Sequence, residues 1–158
     1  MEVMNTRRTV LKSTLTVALG GIGLLSGLFK PVAALAAWNQ KALESSKVME
    51  GLQAAFGDTP VTLSDQVTLK APEIAENGAS VPITVEAKLP QVETIALFSE
   101  ENPRPFAAMF HPGPGVRPKV LLRIKMAESG DAIAVVKSQG KLYMGRRTVK
   151  VTAGGCGG

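Results

Sequence analysis

Residues 83–89 read Ile-Thr-Val-Glu-Ala-Lys-Leu, with an apolar side chain at every second position. Successive side chains of a β-strand point to opposite faces, so this alternation predicts a strand with one buried face. Residues 120–126, Val-Leu-Leu-Arg-Ile-Lys-Met, are apolar at every second position as well. A period of two does not fit an amphipathic helix, and these two stretches therefore place the chain in the all-β class.

Shorter apolar runs on either side of these stretches predict more strands. They are Val67–Lys70, Thr94–Phe98, Phe106–Phe110, Ala132–Lys137, Lys141–Gly145 and Thr148–Val151. Turn sequences such as Asn77-Gly78 and Gln139-Gly140 separate them. Short strands at this spacing are typical of a sandwich of two sheets. We therefore predict an immunoglobulin-like antiparallel β-sandwich over residues 58–151.

The segment before the sandwich, residues 37–57, has a different periodicity. Its apolar residues between 39 and 56 recur at roughly helical spacing. Asn39 is a suitable N-cap, and Gly57 is a suitable residue to end a helix. We predict one amphipathic N-terminal helix here, packed on the sandwich or on a partner.

Residues 1–36 have the parts of an export signal. The pair Arg7-Arg8 precedes the apolar run Leu15–Phe29, and Ala34-Leu35-Ala36 supplies a small-residue cleavage sequence. Adjacent arginines are typical of the twin-arginine signals of bacteria. The apolar run is shorter than the roughly 20 residues that span a bilayer, which argues against a membrane anchor. We expect a periplasmic protein that begins near Ala37 and has no membrane segment after cleavage.

The basic character of the chain comes largely from this leader. Residues 1–36 contain four basic side chains and one acidic side chain, so +3 of the net charge of +5 belongs to them and +2 to the rest. A near-neutral domain lacks the basic surface that nucleic-acid binding requires. We therefore predict no nucleic-acid partner.

Residues 152–158 read Thr-Ala-Gly-Gly-Cys-Gly-Gly and contain the only cysteine of the sequence, Cys156. Two glycines lie on each side of it: Gly154, Gly155, Gly157 and Gly158. Glycine has no Cβ and resists settling into a helix or strand, so the sequence predicts a flexible arm that presents a thiol. A lone cysteine in an exported chain indicates a reactive thiol or an intermolecular bond, including a Cys156–Cys156 disulfide dimer.

No other group of side chains in the sequence indicates a catalytic site or a metal site. His111 is the only histidine, and a metal site needs several ligands at workable spacing. Arg146, Arg147 and Lys150 precede the arm and are candidates for attracting an anionic group on Cys156, although the exposed positions of a last strand often carry such residues. We predict no metal, no cofactor and no catalytic residue.

Three stretches carry a resemblance to a known family. Residues 154–158, Gly-Gly-Cys-Gly-Gly, match the family's swinging-arm motif residue for residue. Residues 71–78, Ala-Pro-Glu-Ile-Ala-Glu-Asn-Gly, and the following Val81–Val85 are similar to its first β region, and the stretch Phe98–Pro114 is similar again. Together with the leader, these stretches make the chain resemble SoxY, the sulfur-carrying subunit of bacterial thiosulfate oxidation.

The resemblance implies a carrier protein rather than an enzyme. It implies a heterodimer with a second sandwich subunit, SoxZ, and covalent attachment of sulfur intermediates to Cys156. A SoxAX partner with haem c would join thiosulfate to the thiol as an S-thiosulfonate, and a SoxB hydrolase would release sulfate and leave a persulfide. A sulfane dehydrogenase would oxidise the outer sulfur of the persulfide to an S-sulfonate in organisms that have one.

Two other functions fit parts of the sequence. A ubiquitin-like sulfur carrier would use the carboxyl group of Gly157-Gly158 as a thiocarboxylate, but that chemistry needs ATP, which an exported protein lacks. A periplasmic scaffold would use Cys156 only to form a permanent disulfide with a partner. Activity that survives Cys156→Ala would favour the first, and a bond that does not turn over would favour the second.

Overall fold

The computed structural model describes residues 39–152. Its first elements are two short helices, α1 (Gln40–Glu44) and α2 (Val48–Phe56). The side-chain oxygen of Asn39 accepts the backbone N–H of Ala42 at 3.0 Å. This bond satisfies one of the donors that the first turn of a helix leaves unpaired. The prediction of Asn39 as the N-cap is therefore confirmed.

The single helix predicted from the sequence is divided in two. The Ser45 hydroxyl donates to the carbonyl of Ala42 at 2.6 Å, and the backbone N–H of Ser46 donates to the Glu50 carboxylate at 3.2 Å. Serine side chains compete in this way with the backbone bonds of a helix, and the chain breaks between the two helices. Gly57 ends α2 with φ = 71°, which confirms the predicted stop.

The described residues contain nine strands, numbered here in chain order. They are β1 (Val61–Leu63), β2 (Val67–Lys70), β3 (Ile74–Ala75), β4 (Val81–Ala87), β5 (Val92–Ser99), β6 (Phe106–Phe110), β7 (Lys119–Ile124), β8 (Gly130–Ser138) and β9 (Lys141–Val151). The larger sheet has the order β1-β9-β8-β5-β6, with β3 also beside β9. The smaller sheet has the order β2-β4-β7. The prediction of an all-β sandwich of two sheets is confirmed.

Three features of the sheets differ from the prediction. The runs predicted as separate strands at 141–145 and 148–151 form one strand, because β8 pairs with β9 along nearly its whole length. The short strands β1 and β3 were not predicted. Both pair with β9 in parallel, whereas the other strand pairs of the described chain are antiparallel.

The larger sheet is buried on both faces. One face packs on the smaller sheet through a core that includes Val85, Ile95 and Val136. The other face packs on α2 through a second core centred on Leu52 and Phe98. The middle of each of the two central strands is therefore a continuous apolar run, Ile95–Phe98 in β5 and Ala132–Val136 in β8, as expected for strands covered on both sides. In β4 the predicted alternation of buried and less buried residues is confirmed.

The sequence Gln139-Gly140 joins β8 to β9 in a two-residue turn. Both residues have positive φ, 50° and 72°. This is the backbone of a type I′ turn, whose twist matches that of the flanking strands. Gly145, further along β9, marks a close approach of the two sheets, because a Cβ at this position would lie 2.2 Å from the carbonyl oxygen of Val67.

The Glu93 carboxylate on β5 holds this turn in place. It accepts the backbone N–H of Gly140 at 3.1 Å and pairs with the Lys137 ammonium at 3.3 Å. The bond from Gly140 is the largest of the causes that lower the pKa of Glu93 from its ordinary value of 4.5, and the hydrogen bond from Lys137 is the next. A depressed pKa in the folded state means that the ionised carboxylate contributes stability above about pH 4.5. That contribution is lost as the pH falls through the folded-state pKa.

We expect Glu93→Gln to lower the free energy of unfolding at pH 7 and to have progressively less effect below pH 4.5. Urea unfolding of both proteins between pH 3 and pH 7 would measure the difference. Glu76→Gln is the matched control, because Glu76 is an exposed glutamate that forms no ion pair with another described residue. A Glu93→Gln effect that stays constant over the whole range would contradict the prediction.

Candidate functional site

The arm residues of the sequence prediction lie outside the described residues. This applies to Cys156 and to the four glycines around it: Gly154, Gly155, Gly157 and Gly158. The export signal, residues 1–36, lies outside them as well. The structure does describe the support that precedes the arm, which is the end of β9 at Val151 and the next residue, Thr152.

The end of β9 is fixed on both sides. The Lys150 N–H donates to the carbonyl of Glu73 at 2.9 Å, and the Thr152 N–H donates to the carbonyl of Ala75 at 3.1 Å. On the opposite side, the Val151 N–H donates to the Ser129 hydroxyl oxygen at 2.9 Å. Backbone bonds therefore continue up to the residue at which the predicted arm begins, and they give the arm a rigid base.

Gly78 allows the chain to come close to this base. A Cβ on Gly78 would lie 2.4 Å from the carbonyl oxygen of Met126 and 2.7 Å from a methyl carbon of Val151. The Met126 N–H also donates to the Gly78 carbonyl at 2.7 Å. The Asn-Gly turn predicted from the sequence therefore contacts the last residue of β9, and a larger residue would displace one of these neighbours.

Basic side chains surround a cavity beside this base. The cavity has a volume of about 480 Å³ and lies along the outer edge of β9. Its lining residues are Glu73, Arg146, Arg147, Thr148 and Lys150. Three basic residues and one acidic residue therefore line it. The sequence proposed the three basic residues as a group, and the structure brings them together.

The cavity lies in a gap between two short strands. β1 pairs with residues 142–144 of β9, and β3 pairs with residues 150–151 of the same edge. Within the described chain, neither strand pairs with residues 145–149. The backbone and side chains of Arg146, Arg147 and Thr148 are consequently accessible, and all three residues are exposed.

Only part of the positive charge is compensated by the described residues. The Arg146 guanidinium lies 3.7 Å from the Asp131 carboxylate, which also accepts the Thr148 hydroxyl at 2.5 Å. Between residues 39 and 152, no carboxylate lies within 4 Å of Arg147 or Lys150 to form an ion pair. Arg147 and Lys150, near the end of β9, therefore have no ion-pair partner among the described residues.

The sequence did not indicate that Glu73, Thr148 and Asp131 would lie at or next to this cavity. Glu73 belongs to the stretch 71–78 that carried the family resemblance, but nothing in its local pattern showed that it would lie beside the end of the chain's last strand. The parallel pairing of β3 with β9 brings it there. Asp131 is the second residue of β8, and the pairing of β8 with β9 places it opposite Thr148.

Asn102, in the stretch Phe98–Pro114 that carried part of the family resemblance, has a structural role. The Asn102 side-chain amide donates to the carbonyl of Lys125 at 2.8 Å, and its oxygen accepts the N–H of Ala127 at 2.7 Å. Asn102 therefore holds the connection that follows β7. These two bonds explain why an amide side chain suits this position.

The remaining candidate chemistry does not form a site within residues 39–152. The His111 ring nitrogen Nδ1 lies 3.1 Å from the Thr94 hydroxyl, so the histidine has a polar partner at the end of β6. In this part of the chain no three His, Cys, Asp or Glu side chains are grouped so that they would hold a metal ion. No helix of the same part is both long and apolar enough to cross a membrane.

A model of a known protein family matches this chain over most of the fold described above. Residues 52–156 match the model of sulfur oxidation protein SoxY. The matched range begins in α2, includes both sheets and ends at Cys156. The chain belongs to the SoxY family.

A solved structure of a SoxY protein agrees with this assignment. The sulfur carrier protein SoxY from Chlorobium limicola f thiosulfatophilum is 43% identical to this chain and superimposes with a TM-score of 0.62. The match covers 68% of this chain and 97% of the other. The β-sandwich of this SoxY chain is therefore that of the family.

A more distant structure shares only the fold. A superoxide reductase (neelaredoxin) from Ignicoccus hospitalis is 19% identical and has a TM-score of 0.51, over 58% of this chain and 94% of the other. At this identity the likeness shows a common sandwich and gives no information on activity. The comparison with curated proteins gave no significant match.

Proposed function

We propose that this SoxY chain carries intermediates of sulfur oxidation covalently on Cys156 and presents them to partner enzymes. The observation that carries the proposal is the family match, which extends through the sandwich to Cys156 itself. The fixed base at Thr152 supports it, because a carrier thiol needs a support that does not move with it. The cations beside that base support an anionic cargo.

The loading step consumes thiosulfate and an oxidant. The Cys156 sulfur and the outer sulfur of thiosulfate form a new S–S bond, which gives the S-thiosulfonate Cys–S–S–SO₃⁻. Two electrons and the thiol proton leave in this step, and a haem c protein of the SoxAX type takes the electrons. A SoxB-type hydrolase then adds water across the S–SO₃ bond, releases sulfate and leaves a persulfide on Cys156.

The chemistry of the thiol fits a carrier. A free cysteine has a pKa of about 8.5, so only a small fraction is thiolate at neutral pH. Residues 153–158 contain no side chain that would lower this pKa. The thiol is therefore expected to react slowly on its own and to be activated in the pocket of a partner enzyme. This behaviour keeps the unloaded thiol inert between encounters.

The partners and the location belong to the same proposal. We infer that the chain forms a heterodimer with a SoxZ-type sandwich subunit and that the pair works in the periplasm after export by the twin-arginine route. A sulfane dehydrogenase is a further partner in organisms that contain one. The exposed thiol also predicts a reducible Cys156–Cys156 dimer under aerobic conditions. The chain itself supplies no catalytic residue in this scheme.

Intact-mass measurement of protein recovered from the periplasm without reductant tests the proposal. We expect increments of about 32 Da for a persulfide or about 112 Da for an S-thiosulfonate, both removed by a thiol reductant. The fragment that carries them should contain Cys156, and the unmodified mass should correspond to a chain that begins near Ala37. A protein that stays unmodified after incubation with thiosulfate, the SoxAX-type oxidant and the SoxZ-type subunit would refute the carrier function. A permanent disulfide to another protein would favour a scaffold instead.

A further inference from the structure

The outer edge of β9 is open in its middle. β1 pairs with residues 142–144 and β3 pairs with residues 150–151, so within the described chain the stretch between them has no neighbouring strand. Val67 lies against Gly145 at the start of this stretch. The remaining residues, 146–149, form an opening in the edge of the larger sheet that is referred to below as the β9 gap.

Two residues of the β9 gap have backbone groups that point away from β8. The Met144 carbonyl accepts an N–H just after β1, and the Lys150 N–H donates to a carbonyl just before β3. Backbone groups of successive residues alternate between the two sides of a strand. The N–H and C=O groups of Arg146 and Thr148 therefore face the open side, where no described residue bonds to them. A row of such groups is a template for one more strand.

The side chains along this edge combine positive charge with exposed apolar groups. Leu63 stands beside Met144 and Ile74 beside Lys150 in the register, and the two are 62% and 57% exposed. They lie about 20 Å apart, because their partners are six residues apart on an extended strand. Arg147 and Lys150, in and next to the β9 gap, have no ion-pair partner among the described residues. The edge therefore has an apolar side chain at each end and unpaired cations along it.

We propose that the β9 gap is a docking site for an extended acidic segment of a partner protein, which adds a short strand to the larger sheet between β1 and β3. The backbone of the segment pairs with Arg146 and Thr148, and its carboxylates meet the unpaired cations. Apolar residues at its ends cover Leu63 and Ile74. In strand addition of this kind, backbone bonds give affinity and alternate side chains give selectivity. The inference does not depend on the chemistry at Cys156.

The charges of the edge select an acidic partner. The cavity along the β9 gap is lined by three basic residues and by Glu73, and Asp131 compensates Arg146 alone among the three. Complementary charges across an interface speed the encounter and disfavour wrong partners, so a basic segment is repelled. Because the apolar ends of the site are about 20 Å apart, a segment of about seven residues spans it.

The other open edges of the described sheets lack this combination. β6 forms one edge of the larger sheet and reads Phe-Ala-Ala-Met-Phe, without a charged side chain. β7 forms an edge of the smaller sheet and exposes one large apolar side chain, Leu121. The Arg123 guanidinium on β7 already donates to the Ser80 carbonyl at 3.0 Å. Neither edge offers unpaired cations between two exposed apolar groups.

Amide hydrogen exchange of the full ¹⁵N-labelled protein tests the backbone pairing. In the free protein the N–H groups of Arg146 and Thr148 should exchange much faster than those of Arg147 and Val149, which face β8. The probe is the end-blocked peptide Leu-Glu-Asp-Glu-Asp-Glu-Val, and Leu-Gln-Asn-Gln-Asn-Gln-Val is its neutral control. Near saturation the acidic peptide should slow exchange at Arg146 and Thr148 about tenfold, whereas the neutral peptide should leave it unchanged.

Variants separate the cations from the backbone groups. Arg147→Gln combined with Lys150→Gln should raise the Kd of the acidic peptide about fivefold, since exposed ion pairs contribute modestly. Lys88→Gln combined with Lys119→Gln removes the same charge elsewhere and should leave the Kd unchanged. Thr148→Pro removes an N–H that faces the gap and should also weaken binding, whereas Thr148→Val keeps that N–H and should bind as the unaltered protein does. Proline is tolerated at a strand edge whose N–H has no partner.

Any of three results would overturn the inference. The first is no binding of the acidic peptide at millimolar concentration, and the second is equal binding of the neutral peptide. The third is unchanged exchange at Arg146 and Thr148 in the bound protein, which would identify a surface for polyanions in general. The exchange measurement uses the unaltered chain, so it decides the matter even if the proline variant does not fold. Loading of Cys156 with thiosulfate is measured separately by mass, and none of these results would refute the carrier function.

Discussion

Replacing Cys156 by serine is expected to abolish thiosulfate-dependent electron transfer in a mixture of this SoxY chain with SoxZ-, SoxAX- and SoxB-type partners. A serine hydroxyl is not ionised at neutral pH and forms no S–S bond to thiosulfate, whereas a thiol with a pKa of about 8.5 supplies some thiolate. The rate of cytochrome c reduction after addition of thiosulfate measures the effect. It should fall to the rate of the mixture without SoxY, and the mass increments should disappear together with it.

A relocated thiol provides the sharper control. In the double variant Cys156→Ser and Thr152→Cys, the chain keeps one exposed thiol but places it on the fixed base, where the Thr152 N–H binds the Ala75 carbonyl. This thiol should still react with tetrathionate, because it remains accessible. It should not support turnover, because it lacks the glycine linker needed to enter a partner's pocket. Turnover at the wild-type rate would contradict the role of the arm.

Replacing Phe98 by alanine is expected to have the largest effect on stability. The Phe98 side chain is fully buried and packs edge-on against Phe106, with ring centroids 5.3 Å apart. Removing a buried phenylalanine ring costs about 3–5 kcal/mol, the sum of lost burial and of the cavity that remains. Marginally stable domains have about 5–15 kcal/mol in total. Denaturant unfolding should therefore show a large decrease in the midpoint.

Phe110→Ala is the matched control for this variant. Phe110 lies in β6, in the same sheet, but its side chain is only partly buried. The same atoms are removed, so a smaller loss of stability would show that burial accounts for the difference. Equal losses in the two variants would contradict the assignment of Phe98 to the centre of the second core.

The role of Gly51 could not be predicted from the sequence. Glycine in the interior of a helix is unfavourable, so in the sequence Gly51 only weakens the prediction of a helix. In the structure Gly51 is buried against Phe98, and a Cβ there would lie 3.0 Å from the Phe98 ring and 2.8 Å from the Ser45 hydroxyl. The glycine lets α2 come close to β5. A contact between residues this far apart in sequence leaves no local signal.

Some strands could be predicted from their local sequence, whereas others form only through pairing with a distant strand. The alternation in β4 was predictable because one of its faces is buried and the other is partly exposed. The short strands β1 and β3 were not predictable because their residues become strands only through pairing with β9. At the site, the three basic residues were visible as neighbours in sequence. Their companions Glu73, just before β3, and Asp131, in β8, come from other parts of the sequence, and only the fold brings them there.

The position of β9 in the larger sheet also bears on when the domain folds. β9 is the last strand of the described chain to be synthesised, yet it lies between β8 on one side and β1 and β3 on the other. Val61 must find Leu142, 81 residues later in the sequence. Pairings this distant slow the search for the native topology. While the ribosome is still making β9, β8 has an open edge and β1 and β3 have no partner, so the sandwich closes only when its last strand has emerged.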